Sequence, residues 1–599
     1  MSAEKKDDIA AGGYFSIPAG LGFPVTTKIF TPEKFTEEQK MAAETAKKFI
    51  EKDVLPKLAA IDEQTGGDYG ITVGLLKKVA DMGFLGTDVA EEYGGSGLDF
   101  TTAMCVSEVF GAGGSWAVSW AAHSGIGTHP ILFFGNEAQK KKYLPKLVSG
   151  EWTGAFGATE PEAGTDLYGA KTKATLSPDG KSYILNGSKT FISNSGFANL
   201  FVILAKIDGD PKKSACFIVE KGTPGFTVGK EESKMGICGS STCPLNLVDV
   251  QVPAENLLGE IGKGIHIIFN TLNLGRLKLG AMTTGSGKSV INDAVKYAVE
   301  RKQFGLPISQ FGMIKEKLAN MVVGAWMTES AVYRTAGLVE EKFNATDFKD
   351  FTQTLDALRE YEIECAILKV AGSEMFWYIA DENVQVHGGY GYIKDYLAER
   401  YLRDARINRI FEGTNEINRL TAILNMLERA GKGKLPLAKA GAALAAQLEE
   451  SAGEELPDEP LALQAELVNG MKKMFFVAGG RVLEKFPVRE KIVAQQEILR
   501  RLSDMLILIY LSESGLLRVK EHGGEIQEAI VKLYVQNAAL ECEKLAKEVL
   551  AFLEEGDMLK SYLGRLKRLG RPLANNLLDS VSLERKIADK LIESKKYFL

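Results

Sequence analysis

The sequence is poor in the features that most often announce a chemistry. Six cysteines are scattered through 599 residues with no CxxC pair, and the five histidines show no HxH or HExxH spacing. Scattered thiols read as reduced cysteines in a reducing compartment, and no metal site is expected. Apolar runs are short. The longest near a helix centre is MLILIYL, Met505 to Leu511, where a membrane span needs about 20 residues, so a buried helix segment is expected there. Positive charge is not in excess: the formal net charge is −6, which gives no global field for nucleic acid. Proline is sparse at 18 against 62 glycines, a balance that favours long helices punctuated by glycine turns. There is no GxxxxGK[ST] and no GxGxxG between a strand and a helix, which excludes a P-loop and a Rossmann fingerprint. The opening MSAEKKDDIAAGG has no apolar segment and is too acidic and arginine-poor for a transit peptide, so a soluble, cytoplasmic protein is expected.

What is present is ordinary globular composition, 45% apolar and 25% charged, in a chain long enough for three or four domains at about 150 residues each. Residues 1–35 lack helical period and read as an arm. Residues 36–151 are helical in pattern. At Trp152 the texture changes to short β-rich runs, 182–194, 199–207, 214–220 and 245–253, separated by turn signals, which predicts a small β-barrel or sandwich over 152–263. Helical periodicity resumes over 264–430, with long segments at 276–300, 307–341 and 349–380. Beyond the linker GKGKLPLAKAGA and a stretch from Glu449 to Glu466 with seven acids and no base, 431–599 reads as a further helical region. The expected fold is mainly α with a central β-domain.

Four segments could carry chemistry. GAFGATEPEAGTDLYGAKTKA (154–174) is rich in small residues that let backbone approach a ligand, although it also fits a plain inter-domain loop. In FEGTNEINRL (411–420) Glu412 precedes a glycine, and Thr414 reads as an N-cap. A carboxylate there is usually a solvated partner of the helix dipole. QVHGGYGYI (385–393) has adjacent glycines that suit a ligand or a turn, and ERKQFG (300–305) reads as a helix end.

Taken in this order on a helix–β–helix frame, these segments resemble the acyl-CoA dehydrogenase family. The resemblance covers about residues 36–430 and is carried by ATEPEAGTD, LNGSKTFISNSG, KMGICGSS with VPAENLLGEIGKG, NLGRLKLGA, ERKQFG, QVHGGYGY and FEGTNEI. The LNGSKTFISN phrase and the long helical extension look most like the very-long-chain branch. The resemblance implies a helical domain, a β-barrel and a four-helix-type bundle, here with a C-terminal helical domain added. It also implies FAD-dependent oxidation of an acyl-CoA thioester to the trans-2-enoyl-CoA.

The family's pattern carries specific roles onto this chain. Glu412 matches the base that removes the α-proton, its backbone N–H helping a flavin ribityl hydroxyl to hold the thioester oxygen. Burial beside flavin and an acyl chain should raise its pKa toward the range useful for a base. Phe156, Ala158 and Thr159 match the loop beside the flavin ring. Phe191 stands where many members have tryptophan, and Ser193 where many have threonine. Arg301 and Phe304 match residues that reach the FAD of a neighbouring subunit, which implies a homodimer or larger assembly. Gln385 and Gly389 match the adenosine-side loop, and Thr414 and Glu416 line the same cofactor. On the substrate side stand Thr165, Gly413, and Asn273 with Arg276, the last expected as a cation for the nucleotide phosphates. Val118 and Ala122 align with the floor of the acyl pocket, where medium-chain relatives carry larger polar residues. A long acyl chain and electron-transferring flavoprotein as acceptor are therefore expected. An acyl-CoA oxidase and a non-catalytic assembly protein on the same fold remain alternatives. The extension is expected to serve assembly. Its last stretch, Asp557 to Leu599, is locally basic, which leaves peripheral membrane contact as a second reading.

Overall fold

A computed structural model describes residues 28–64, 68–435 and 459–599, together with positions 437, 440, 441 and 444. Residues 1–27 of the expected arm, and 449–458 of the acid-rich stretch, lie outside the described residues.

The N-terminal helices start where their side chains can serve their own ends. Thr36 and Gln39 form a reciprocal capping box at the start of α1 (Glu37–Phe49), and Asn136 with Gln139 does the same further on, at Glu137–Val148. Gln139 then donates from Nε2 to the carbonyls of Glu255 and Leu257, 2.8 Å each, which ties this unit to the sheet. Between these helices lie α2 (Phe100–Phe110) and α3 (Gly114–Ala121), whose aromatic residues Phe110, Trp116 and Trp120 pack with Phe49 in one core.

The β-rich runs form one sheet. Its main strands are β1 (Gly154–Gly157), β2 (Lys173–Leu176), β3 (Ser182–Ser193), β4 (Leu200–Ile207), β5 (Ser214–Glu220), β6 (Phe226–Val228), β7 (Thr242–Pro253) and β8 (Leu257–Leu258). The order is β6-β7-β3-β2-β4-β5-β8, with β1 parallel to β4. A core of its own fills it, with Phe201, Phe217, Leu185 and Leu245 among the buried residues. The strands match the expected runs closely, because each is a short β-rich run bounded by turn residues; β4 is buried along its whole length.

The bundle is built on α4 (Gly264–Glu300), which begins where helical periodicity was expected to resume and takes in the long segment at 276–300. With it pack α5 (Gly312–Asn344), α6 (Phe351–Arg359) and α7 (Glu362–His387), then α8 (Ala398–Ile407) and α9 (Asn415–Gly431). The single helix expected over 349–380 is two, broken at Glu360 and Tyr361. The Arg359 carbonyl at the break is taken by Arg429 Nη2 at 2.6 Å, a long-range acceptor use that replaces the next helical bond. Helices α4 and α7 approach closely at Gly280 and Gly372: a Cβ on Gly372 would lie 3.2 Å from the Gly280 Cα.

The extension contains α10 (Ala462–Lys485), α11 (Gln496–His522), α12 (Glu525–Leu553), α13 (Gly556–Leu569) and α14 (Ser580–Ser594). It is not a separate body. Leu502, Ile509 and Leu516 belong to the same continuous apolar core as Val322, Trp326 and Met327 of α5. The MLILIYL run lies inside α11 with Met505, Leu506, Ile509 and Tyr510 fully buried. Charges cross the junction too: Arg334 pairs with Glu513 at 3.0 Å, and Arg518 pairs with Glu329 at 2.7 Å and Glu33 at 2.8 Å. Several basic residues of the final stretch are already matched, Lys560 with Asp557, Lys586 with Glu525 and Lys590 with Glu593. Among the described residues no helix is long and apolar enough to cross a membrane.

Candidate active site

The loop between α8 and α9 carries Glu412 in a left-handed conformation, φ 58°, followed by Gly413 at φ 82°. An L residue reaches that region at a cost of roughly 1–2 kcal/mol, so its surroundings must hold it there. They do so through the backbone. The Glu412 carbonyl accepts from Arg276 Nε at 3.2 Å and from Asn418 Nδ2 at 3.3 Å, and the Gly413 carbonyl accepts from Asn418 at 2.7 Å. Thr414 caps α9, its hydroxyl accepting from the Ile417 amide at 3.3 Å, as its sequence context suggested.

The carboxylate is not a solvated dipole partner. Oε2 of Glu412 is buried and has no hydrogen-bond partner. Beside it α4 has Gly275, where a Cβ would lie 3.0 Å from that oxygen, so any larger residue would displace the carboxyl. Burial pushes the Glu412 carboxyl up to about 7, against the opposing pull of Arg276 and Lys369. Lys369, fully buried on α7, has its ammonium pushed down to about 7 by burial and donates to Asn415 Oδ1 at 2.7 Å.

The sheet supplies the opposite wall. The β3–β7 register shifts between Lys189 and Ile192, and within that bulge Phe191 sits at φ 57° with its side chain turned out, 65% exposed. A bulge re-aims side chains that a regular strand would alternate between faces. Phe191 and Ser193 thereby line one cavity with Phe156, Ala158, Thr159, Glu412 and Gly413. The Thr159 and Ser193 hydroxyls make no hydrogen bond to another described residue. Val118, Ala122, Ile126 and Leu279 line the same cavity. Aromatic planes with unengaged hydroxyls suit a flat heteroaromatic ring with polar edges, and on that ground the donor set fits a flavin.

Other expected residues stand elsewhere. Arg301 and Gly389 line a second cleft, where the Arg301 guanidinium lies 5.6 Å from the Tyr390 ring centre. Phe304 tips a hairpin just beyond α4, 93% exposed, and Gln385 is exposed on the last turn of α7. Thr165 and Glu416 are exposed. Asn273 and Arg276, expected on the substrate side, lie beneath the Glu412 loop. They are only 3% and 5% exposed, and the Arg276 guanidinium is engaged by the Glu412 carbonyl and by Asn273 Oδ1 at 2.9 Å. A guanidinium buried beneath the loop supports that loop through the Glu412 carbonyl.

Residues not expected from sequence also shape the cavity. Lys189 is completely buried and pairs with Glu160 at 2.7 Å, while Glu160 accepts from the Lys171 amide at 2.5 Å and the Thr172 amide at 3.1 Å. This pair holds the loop that presents Ala158 and Thr159. Gly275 stood inside the NLGR segment already singled out. Nothing near Lys369 in the sequence marks it, because its partners come from another helix.

Comparison with known proteins places these observations. Family models match in order: acyl-CoA dehydrogenase N-terminal domain at 36–151, middle domain at 155–250, C-terminal domain at 262–427, and a second C-terminal-domain model at 470–568. A probable acyl-CoA dehydrogenase of Bacillus subtilis (strain 168) is 45% identical over 610 residues, covering 99% of this chain and 100% of the relative. The mitochondrial very long-chain specific acyl-CoA dehydrogenase of Homo sapiens is 39% identical over 457 residues, covering 72% and 67%. The crystal structure of acyl-CoA dehydrogenase complexed with FAD from Bacillus anthracis superposes with a TM-score of 0.92 at 43% identity, covering 98% of this chain and 100% of that one.

Proposed function

The chain belongs to the acyl-CoA dehydrogenase family and is an FAD-dependent oxidoreductase acting on acyl-CoA; from that premise we propose that Glu412 is the base that removes the α-proton. The observation that carries this reading is Oε2 of Glu412, buried without a hydrogen bond and facing the cavity of Phe191 and Ser193. FAD, held by the wall of Phe156, Ala158, Thr159, Phe191 and Ser193, would supply the acceptor for the β-hydrogen as hydride. The chain supplies the rest. The Glu412 carboxylate takes the α-proton as the α,β double bond forms. Its amide N–H, which donates to no described residue, is free for the thioester oxygen, where negative charge develops. Arg276 and Asn418 keep that amide aimed by holding the carbonyl of the same residue. Phe191 offers an aromatic face, Ser193 and Thr159 offer hydroxyls, and Phe156 and Ala158 complete the cofactor wall. Gly413 leaves room along the backbone for the CoA arm, Thr165 is proposed to help bind substrate, and Thr414 and Glu416 are proposed to meet the cofactor.

The test is anaerobic mixing of the holoenzyme with acyl-CoA. Bleaching of the flavin absorbance, followed by reoxidation that is fast with electron-transferring flavoprotein and slow with air, supports the dehydrogenase. Fast reoxidation by air points to an oxidase instead, and a colourless protein that cannot take up FAD points to an assembly role.

The substrate is proposed to be a long acyl chain. Ala122 lines the cavity with only a methyl group, and Val118 narrows it one turn away. Each further methylene buried is worth about 0.8 kcal/mol, so kcat/KM should rise by about fourfold per carbon until the pocket is full. A turnover panel checks this, and a maximum at about four to eight carbons would refute it.

A site completed by a second copy of the chain is also proposed. Phe304, on the hairpin that follows Arg301, and Met313, at the start of α5, are large apolar side chains left 93% and 77% exposed. Arg301 with Gln385 and Gly389 would then meet the adenosine half of a neighbour's FAD. Arg301→Ala should release FAD on ultrafiltration while circular dichroism stays unchanged, and a fully active monomer in sedimentation would overturn the reading.

A further inference from the structure

We infer that Asp504, in the C-terminal extension, is a positioning residue for Glu412, acting through Arg419, Glu374 and Asn415. The inference rests on the proposed role of Glu412 as base. The contacts form an unbroken chain. Arg419 on α9 donates from Nε to Asp504 Oδ1 of α11 at 2.6 Å. Its two terminal nitrogens donate in parallel to the two oxygens of Glu374 on α7, 2.9 Å each. Glu374 Oε1 accepts from Asn415 Nδ2 at 3.1 Å. Asn415 is the first residue of α9 and 1% exposed, and it also bonds Ser373 Oγ at 3.0 Å and Lys369 Nζ at 2.7 Å. Only Gly413 and Thr414 separate it from Glu412.

This anchoring matters because Glu412 is left-handed and non-glycine, a state that persists only where the surroundings over-determine it. Arg276 and Asn418 hold the carbonyl of Glu412, and Asn415 holds the helix start that follows. The guanidinium of Arg419 is planar, so two carboxylates on separate edges fix it as a fork in one orientation. Without Asp504 one edge is unmatched. Arg409 stands 3.9 Å from Glu374 as a competing cation, so Glu374 is then free to turn toward it and loosen its hold on Asn415. Asp504 itself is steadied from one turn earlier by Arg500 at 2.5 Å.

Displacement of a reacting group by an ångström costs on the order of a hundredfold in rate, so a smaller shift of the loop should cost about tenfold. The experiment uses the full-length FAD holoenzyme and a long-chain acyl-CoA in stopped flow, with FAD content and acyl-CoA affinity measured on the same samples. Asp504→Asn and Arg419→Lys should each slow flavin reduction at saturating substrate by about tenfold, with affinity and FAD content within about twofold of wild type. Asp504→Glu should recover most of the rate, and Arg501→Ala, on the same helix but paired with Glu548 at 2.7 Å and outside the chain of contacts, should leave it unchanged. A wild-type reduction rate in Asp504→Asn overturns the inference, as does an equal loss in Arg501→Ala. If Asp504→Asn does not fold, Arg419→Lys decides by the same criterion. Glu412→Gln separates the two readings: normal reduction there removes the base itself, whereas no reduction there with normal Asp504→Asn removes only the positioning role.

Discussion

Glu412→Gln is expected to leave FAD bound and to slow flavin reduction by acyl-CoA by about 10³-fold or more, because glutamine keeps the shape of the side chain but accepts no proton. The wild-type enzyme should also show the titration of this group. Burial holds the Glu412 carboxyl up at about 7 against Arg276 and Lys369. Only the ionised form is a base, so kcat/KM, which reports the free enzyme, should rise with pH and reach half its plateau near that value. The rise belongs to the acidic side: below it the carboxyl carries the proton it must accept. In stopped flow across this range, a flat wild-type profile, or near wild-type reduction by Glu412→Gln, would assign the proton to another group.

Glu513→Ala is expected to destabilise the whole protein, not the extension alone. Glu513 is 4% exposed; it pairs with Arg334 at 3.0 Å and also accepts from Lys472, which is equally buried. The substitution takes away a carboxylate that two buried cations share, and breaking such a pair from one side costs about 3–5 kcal/mol. Arg334 stands on α5 of the bundle and Lys472 on α10 of the extension, and both regions share one apolar core. The denaturation midpoint followed by flavin fluorescence and by circular dichroism should therefore fall together. A shift seen by circular dichroism alone, with the flavin signal unmoved, would show an independently folding extension.

Particular residues show how far the sequence could be read. Short β-rich runs bounded by turn signals marked the strands at 182–193 and 214–220, because strand composition and turn residues are written in the segment itself. Thr414 was legible as a cap and Arg301 as a helix end, since both signals are local. The start of α4 at Gly264 was legible because helical periodicity resumes there after the last β-rich run. The break at Glu360 could not be read, because the group that ends the helix there is Arg429 from another helix.

The site divides along the same line. The order of its motifs, and through them the family and the candidate base, is a property of the chain that survives without coordinates. The tertiary structure alone decided that Oε2 of Glu412 is buried without a hydrogen bond, that Arg276 holds the Glu412 carbonyl, that a bulge turns Phe191 outward, and that Arg419 joins Asp504 to Glu374. Motifs and periodicity report what a residue offers and which face it buries. Burial of a charge, and the partner that meets it, depend on segments far apart in sequence, and only folding brings those together.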